Sequence, residues 1–284
     1  MTLRSVLNNW ERPFRYPARV LVVFLVVAAV THVVHAVASG SRHMTDPVFQ
    51  QGEKLEYRAM YYSRLTGNVT AGDVSLEVRP ENRVVDGQEC LHVVGLANTR
   101  GVFSLFFKVE NRYETFIGKE AQAPVRFSRT VREGRYRRED NVVFDHGNRL
   151  AASERDTITT SPYIQDVLSV FYHVRNFNMD TLSPGEYFLV DFYLRDSVYV
   201  SRVMFEGREQ VTTSLGTFNT LRFTPEMQKG TSFEQRYPMT LWLSDDRNRI
   251  PIRLESGLVM GNARFDLETF RGLRHGFGSY VPRP

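Results

Sequence analysis

The chain has 284 residues, 42% apolar and 24% charged, with 36 basic against 32 acidic side chains and one cysteine. A single cysteine excludes an intrachain disulfide, so stability has to come from a hydrophobic core. The net charge of +4 is concentrated at the start: residues 1–38 hold Arg4, Arg12, Arg15 and Arg19 against Glu11, and the rest keeps 32 basic and 31 acidic residues, which lacks the electrostatic footprint of a nucleic-acid binder.

The basic residues are followed by an unbroken apolar run from Val20 to Val30, then by Ala36-Val37-Ala38 and Ser39. A positive n-region, an apolar h-region and small residues at alternate positions read as an export signal spanning 1–38, cleaved after Ala38. The alternative is an uncleaved anchor that contacts the membrane through residues 20–38, although His32 and His35 sit in its second half. Either way the domain lies outside the cytoplasm, in the periplasm or cell envelope.

Beyond a polar linker (39–47), period-2 alternation recurs. Leu55, Tyr57, Ala59 and Tyr61 share one face, as do Val74, Leu76 and Val78. Further strand-like runs are 90–96, 102–109, 112–117, 125–131, 141–144, 186–194, 198–205, 217–223, 239–243, 250–254 and 263–270. They are separated by turn pairs such as Asp86-Gly87, Glu133-Gly134 and Glu206-Gly207. Cys90 falls in one of these runs and reads as a small core residue. Arg132, Arg135, Arg137 and Arg138 alternate with acids and read as a solvated strand face, the alternative being an anion site. One segment breaks the pattern: Ser161-Pro162 looks like a helix start, with Ile164, Val167, Leu168, Phe171 and Val174 at helical spacing, which predicts a helix over 162–176.

The two sides of that helix echo each other. Gly52-Glu53 matches Gly185-Glu186, Gly87 matches Gly216, Pro124-Val125-Arg126 matches Pro251-Ile252-Arg253, and Phe144-Asp145 matches Phe265-Asp266, at offsets of 133, 129, 127 and 121 residues. The expected fold is all-β. Two similar curved antiparallel modules, 48–150 and 185–284, each an open or partial barrel of sandwich-like form, are joined by a connector (151–184) with one amphipathic helix.

The pattern Gly52-Glu53-x-Leu55-x-Tyr57, the helix Asp166–Arg175, the run Gly216–Pro225 and especially LWLSDDRNRIPIRLE (Leu241–Glu255), followed by Gly257 and Gly261, resemble the family catalogued as domain of unknown function 3108. The resemblance spans roughly residues 49–270. It implies an exported or envelope-associated β protein and transfers neither an activity nor a catalytic residue.

No G-x-S-x-G, G-x-x-x-x-G-K, G-x-G-x-x-G, H-E-x-x-H or C-x-x-C motif occurs, and the only close histidine pair is His32 and His35. No cofactor, metal site or catalytic residue is therefore expected. Asp166, Ser169 and His173 share one helix face, but a mid-helix serine lacks an oxyanion hole, so they read as a polar face. The candidate ligand-binding set is Trp242, Asp245, Asp246 and Arg249. Trp242 could stack on a sugar and the paired carboxylates could act as acid and base or hold a cation, whereas the plainer reading is a hairpin turn whose Asp and Asn side chains bond nearby N–H groups. The expected function is non-catalytic binding of an apolar or glycan ligand, or of an envelope partner protein. The alternatives are an extracytoplasmic carbohydrate hydrolase using Asp245, Asp246 or Glu255 and a membrane-anchored structural adaptor.

Overall fold

A computed structural model describes residues 47–64, 67–226, 239–258 and 261–282; the export segment lies outside them. In chain order the elements are β1 (Lys54–Ser63), β2 (Gly67–Val78), β3 (Arg83–Val85), β4 (Gln88–Thr99), α1 (Gly101–Phe106), β5 (Glu110–Gly118), β6 (Pro124–Glu133), β7 (Tyr136–Asp145), β8 (Leu150–Ser153) and β9 (Thr157–Thr159). They continue with β10 (Gln165–Asp166), α2 (Ser169–Arg175), β11 (Tyr187–Tyr193), β12 (Val198–Thr213), β13 (Gly216–Pro225), β14 (Met239–Ser244), β15 (Pro251–Leu258), β16 (Gly261–Arg271) and β17 (Tyr280–Val281). The chain is all-β, as the alternation predicts.

Antiparallel pairing runs without a break from β9 through β8, β7, β6, β5 and β4 to β2 and β1. It then passes to β16 and back through β15, β14, β13 and β12 to β11. β3 adds to β4, β17 adds to β13, and β10 pairs with β11 in parallel. Fifteen strands at about 4.8 Å each make a sheet roughly 70 Å wide. Its two ends, β9 and β10, are nevertheless joined by residues 160–164 alone, which span at most about 20 Å. The sheet must therefore curl until its ends nearly meet, giving an open, barrel-like form with a seam.

Side chains bridge that seam. Thr115 on β5 donates to the Asp166 carboxylate at 2.6 Å, Ser153 donates to Asp196 at 2.7 Å, and the Phe144 and Tyr193 rings meet edge to face at 5.6 Å. Gly95, on β4, leaves the space that Leu168 fills: a Cβ there would lie 3.3 Å from the Leu168 side chain.

Each half is a simple meander, β1-β2-β4-β5-β6-β7 and β11-β12-β13-β14-β15-β16. Gly52 and Gly185, both at positive φ, precede β1 and β11; Gly87 precedes β4 and Gly216 opens β13; Pro124 and Pro251 open β6 and β15. Phe144-Asp145 closes β7, and Phe265-Asp266 lies within β16.

Two sequence expectations need correction. The run 102–109 is not a strand: β4 and β5 stop pairing at Asn98 and Glu110, and the Thr99 N–H donates to the Val109 carbonyl at 3.1 Å, closing a loop in which the six residues of α1 form. Leu105 there stays 82% exposed. The helix expected over 162–176 covers only Ser169–Arg175. Tyr163 adopts φ 56°, and Gln165-Asp166 is drawn into pairing with Phe192-Tyr193, so tertiary pairing outweighs local helical spacing. Ile164 and Leu168 are buried as expected, but Phe171 is only half-buried.

Candidate functional site

Alternation on β11 sends Phe188, Val190 and Phe192 to one face, and Val190 lies opposite Ser201 on β12. Val203, Phe223, Pro225, Met239, Leu241 and Leu243 extend that surface across β12, β13 and β14, while Val170, Phe171 and Val174 of α2, with Met179, face it from the other side. They line a half-open groove whose interior leaves about 70 Å³ for a small occupant. Ser201 is the one polar residue in the lining, and its hydroxyl is already committed to the Glu226 carbonyl at 3.0 Å. A chain of rings runs along the wall, with Phe177 on Phe188 at 4.8 Å, Phe188 on Phe223 at 5.8 Å and Phe223 on Phe205 at 5.2 Å. Such a lining offers contact area and no directional bonds, which suits an aliphatic ligand.

Beside the groove, α2 carries a buried ion pair. Arg175, 2% exposed, donates from Nη1 and Nη2 to the two oxygens of the fully buried Glu53 at 2.7 and 2.8 Å. Its Nε donates to the Asn248 carbonyl at 3.0 Å. The guanidinium lies 5.4 Å from the Tyr172 ring centre and 5.7 Å from that of Phe49. Burial works against its charge, but the Glu53 carboxylate more than offsets this and holds its pKa above the ordinary arginine value. Asn248 in turn donates to the His275 carbonyl at 3.1 Å and accepts from the His275 N–H at 2.9 Å. The three segments that carry the family resemblance most strongly, around Glu53, Arg175 and Asn248, thus meet in the interior, where they join β1, α2 and the chain's last residues.

The four candidate ligand residues are divided among protein partners. Trp242 lies on the opposite face of β14 from Leu241 and Leu243, turned away from the groove, and its Nε1 donates to Glu209. Asp245 pairs with Arg208 at 3.2 Å. Asp246 accepts from the Ser244 hydroxyl and the Asn248 N–H, each at 2.9 Å, and from the N–H groups of Gly278 and Ser279 at 3.1 and 3.2 Å. Arg249, at φ 47°, donates to the Arg175 and Phe177 carbonyls and to Asp180. The adjacent carboxylates therefore point apart. The turn fastens the C-terminal residues and the end of α2 to the sheet.

The expected polar helix face is corrected: Asp166 pairs in β10, and only Ser169 and His173 belong to α2. Asp166 and Ser169 are fully buried. The Asp166 carboxylate accepts the Leu168 and Ser169 N–H groups at 2.7 and 2.8 Å, capping α2, and the Ser169 hydroxyl accepts the Asp166 N–H at 2.9 Å. Burial raises the Asp166 pKa to about 6 against these hydrogen bonds. His173 packs its ring edge-on to Phe177 at 5.0 Å. Among the described residues no group of three or more His, Cys, Asp or Glu side chains is placed to hold a metal ion, and no helix is long and apolar enough to cross a membrane. Cys90 is buried, and burial raises its thiol pKa.

Fold and groove define a class: an all-β, barrel-like protein whose curled sheet encloses an apolar groove. Its fold matches a crystal structure of a β-barrel-like protein of domain of unknown function 1849 from Brucella abortus, with TM-score 0.56 and 11% identity over 79% of this chain and 98% of that one. Two more distant structures are a protein described as a lipoprotein from Parabacteroides distasonis (TM-score 0.34, 12% identity, 80% and 98% covered) and one described as exported, with a YmcC-like fold, from Bacteroides fragilis (TM-score 0.31, 12% identity, 78% and 97% covered). No curated protein matches the chain. The family model of proteins of unknown function, DUF3108, matches residues 56–268, and the chain belongs to that family.

Proposed function

We propose that this is an exported cell-envelope protein, non-catalytic, that holds the acyl chain of a lipid in the groove between α2 and strands β11 to β14. The observation that carries the reading is the lining itself: thirteen apolar side chains and one serine whose hydroxyl is engaged. A glycan would meet no free donors or acceptors on that wall, and a hydrolase would need a carboxylate pair there, whereas the lining includes none. Export rests on the basic and apolar N-terminal segment, 1–38. The corresponding strand order and matched glycines and prolines of the two halves support descent from one duplicated β module, of which the second keeps the open groove.

The test is lipid analysis of the full chain purified from its native envelope. Mass spectrometry should find an acyl lipid in near-stoichiometric amount. Its absence, or a bound sugar in its place, would remove the reading.

A further inference from the structure

On β6 the inward register that carries Val125, Phe127 and Val131 also carries Arg129 and Glu133. Arg129 is 7% exposed. Its Nε donates to Asp140 at 2.5 Å, while Nη1 and Nη2 bond no described residue and still touch solvent. A buried guanidinium with its two-pronged end unspent is unusual, because that fork is the part best shaped to grip an oxyanion.

Other arginines surround it. Arg138 donates to the Asp140 carboxylate at 2.8 Å, and Arg155 pairs with the same carboxylate and, at 3.2 Å, with Asp196. Arg195, held at φ 51° in the turn between β11 and β12, makes no hydrogen bond or ion pair with a described residue and lies within electrostatic reach of Arg129, Arg138 and Glu133. Three guanidiniums thus bond Asp140 or Asp196, and the fourth, Arg195, stands within electrostatic reach of Glu133. Burial raises the pKa of Glu133, whose carboxylate accepts from Asn111 at 2.8 Å. Burial lowers that of Arg129, and Arg138 and Arg155 lower it further. The cluster has an excess of positive charge: Asp140 gathers Arg129, Arg138 and Arg155, while Arg155 and Arg195 come from opposite ends of the sheet.

We propose that this arginine cluster at the seam, Arg129, Arg138, Arg155 and Arg195, binds a phosphate-type oxyanion, with Arg129 gripping it through Nη1 and Nη2. The proposal is independent of the acyl-binding reading, since none of these residues lines the groove. The oxyanion is either free or carried on a lipid headgroup, and the same arginines would serve both.

Calorimetric titration of the full chain with inorganic phosphate, and separately with dihexanoyl-phosphatidylglycerol against dihexanoyl-phosphatidylcholine, tests the site and its source. Phosphate should bind, Arg129→Gln should weaken it about tenfold to a hundredfold, and Arg195→Gln should weaken it to a smaller degree. Arg132→Gln, on the exposed face of the same strand, should leave it unchanged. If phosphate gives no heat but the phosphatidylglycerol preference depends on Arg129 and Arg195, the chemistry stands and the headgroup is the source. No dependence on Arg129 or Arg195 with either probe, or an equal loss in Arg132→Gln, overturns the proposal. Should Arg129→Gln fail to unfold cooperatively, Arg195→Gln, in an exposed turn, decides alone.

Discussion

A polar patch near the seam, set among Tyr113, Phe127, Val131, Val142 and Phe144, and the wall of the groove follow the same alternation and end in opposite chemistry. The inward positions of β5, β6 and β7 include Asn111, Thr115, Arg129, Glu133 and Asp140, all buried and bonded to one another or to the seam. The groove-facing positions of β11, β12 and β14, on the face opposite Tyr193 and Trp242, are Phe188, Val190, Phe192, Val203, Leu241 and Leu243, with Ser201 alone interrupting them. A polar interior must be filled by its own partners or by a polar ligand, because each unpaired group costs about 1–3 kcal/mol. An apolar wall can stand partly open at a smaller cost. The helix α2 stands between the two regimes: Tyr172 and Arg175 turn toward the buried ion pair, and Val170 and Phe171 turn toward the groove.

The largest expected effect lies at that boundary. Arg175→Met strands the fully buried Glu53 carboxylate and should destabilise the protein by about 3–5 kcal/mol in urea unfolding. The double variant Glu53→Gln with Arg175→Met should recover part of the loss, since no uncompensated charge remains. Additivity of the two single changes would show that the pair is not coupled.

Next in size is truncation on the filled side against truncation on the open side. Leu168→Ala empties the space above Gly95 and should cost about 2–5 kcal/mol. Phe171→Ala removes a half-buried ring from a wall that already borders a void, so the cavity penalty is smaller and about 1–2 kcal/mol is expected. Equal costs would mean that the groove is closed in solution.

Asp166 provides a pH comparison. Its folded pKa of about 6 is raised above the usual 3.8, so between those values the folded state binds more protons than the unfolded state. Stability from this group therefore rises as pH falls from about 6 to about 4, and the buried carboxylate is a liability above pH 6. The stability gap between wild type and Asp166→Asn should shift in favour of wild type across that window, by up to about 3 kcal/mol. A gap that is flat with pH would show that the carboxylate is not desolvated in solution.

The smallest effect is expected at Trp242. Trp242→Phe keeps a ring on the face turned away from the groove and loses the bond to Glu209. It should cost about 1 kcal/mol and leave lipid binding unchanged in a fluorescence titration. A lost ligand in this variant would move the site to the other face of β14.

Much of the fold was legible because strand alternation is a local property. Leu55, Tyr57, Ala59 and Tyr61 lie on one buried face, as their spacing predicts. The helix was legible in part: Ile164 and Leu168 are buried as their spacing predicts, but both lie before α2, because the pairing of Gln165-Asp166 with β11 is a long-range event with no local signature. The Trp242 to Arg249 segment looked rich in binding chemistry because a turn that fastens several elements needs the same Asp, Asn and Arg side chains as a site. The ion pair had a signal that could have been read, since Glu53 keeps register with Leu55 and Tyr57 while Arg175 stands three residues after the buried Tyr172. Arg129 likewise shares the register of Phe127 and Val131. In each case a charge at a core-facing position announces either a buried partner or a ligand. The basic run after it was only partly a solvated face: Arg132, Arg135 and Arg137 are exposed, but Arg138 turns in to Asp140. The groove was not legible, because its walls come from four strands and a helix that meet only when the sheet curls.

The most direct test of acyl binding is a titration of the full chain with a fluorescent fatty acid, wild type against Val190→Trp, which fills the groove from its β11 wall. Saturable binding in wild type and its loss in a variant that still unfolds cooperatively is the predicted result; equal binding by the two proteins would contradict it.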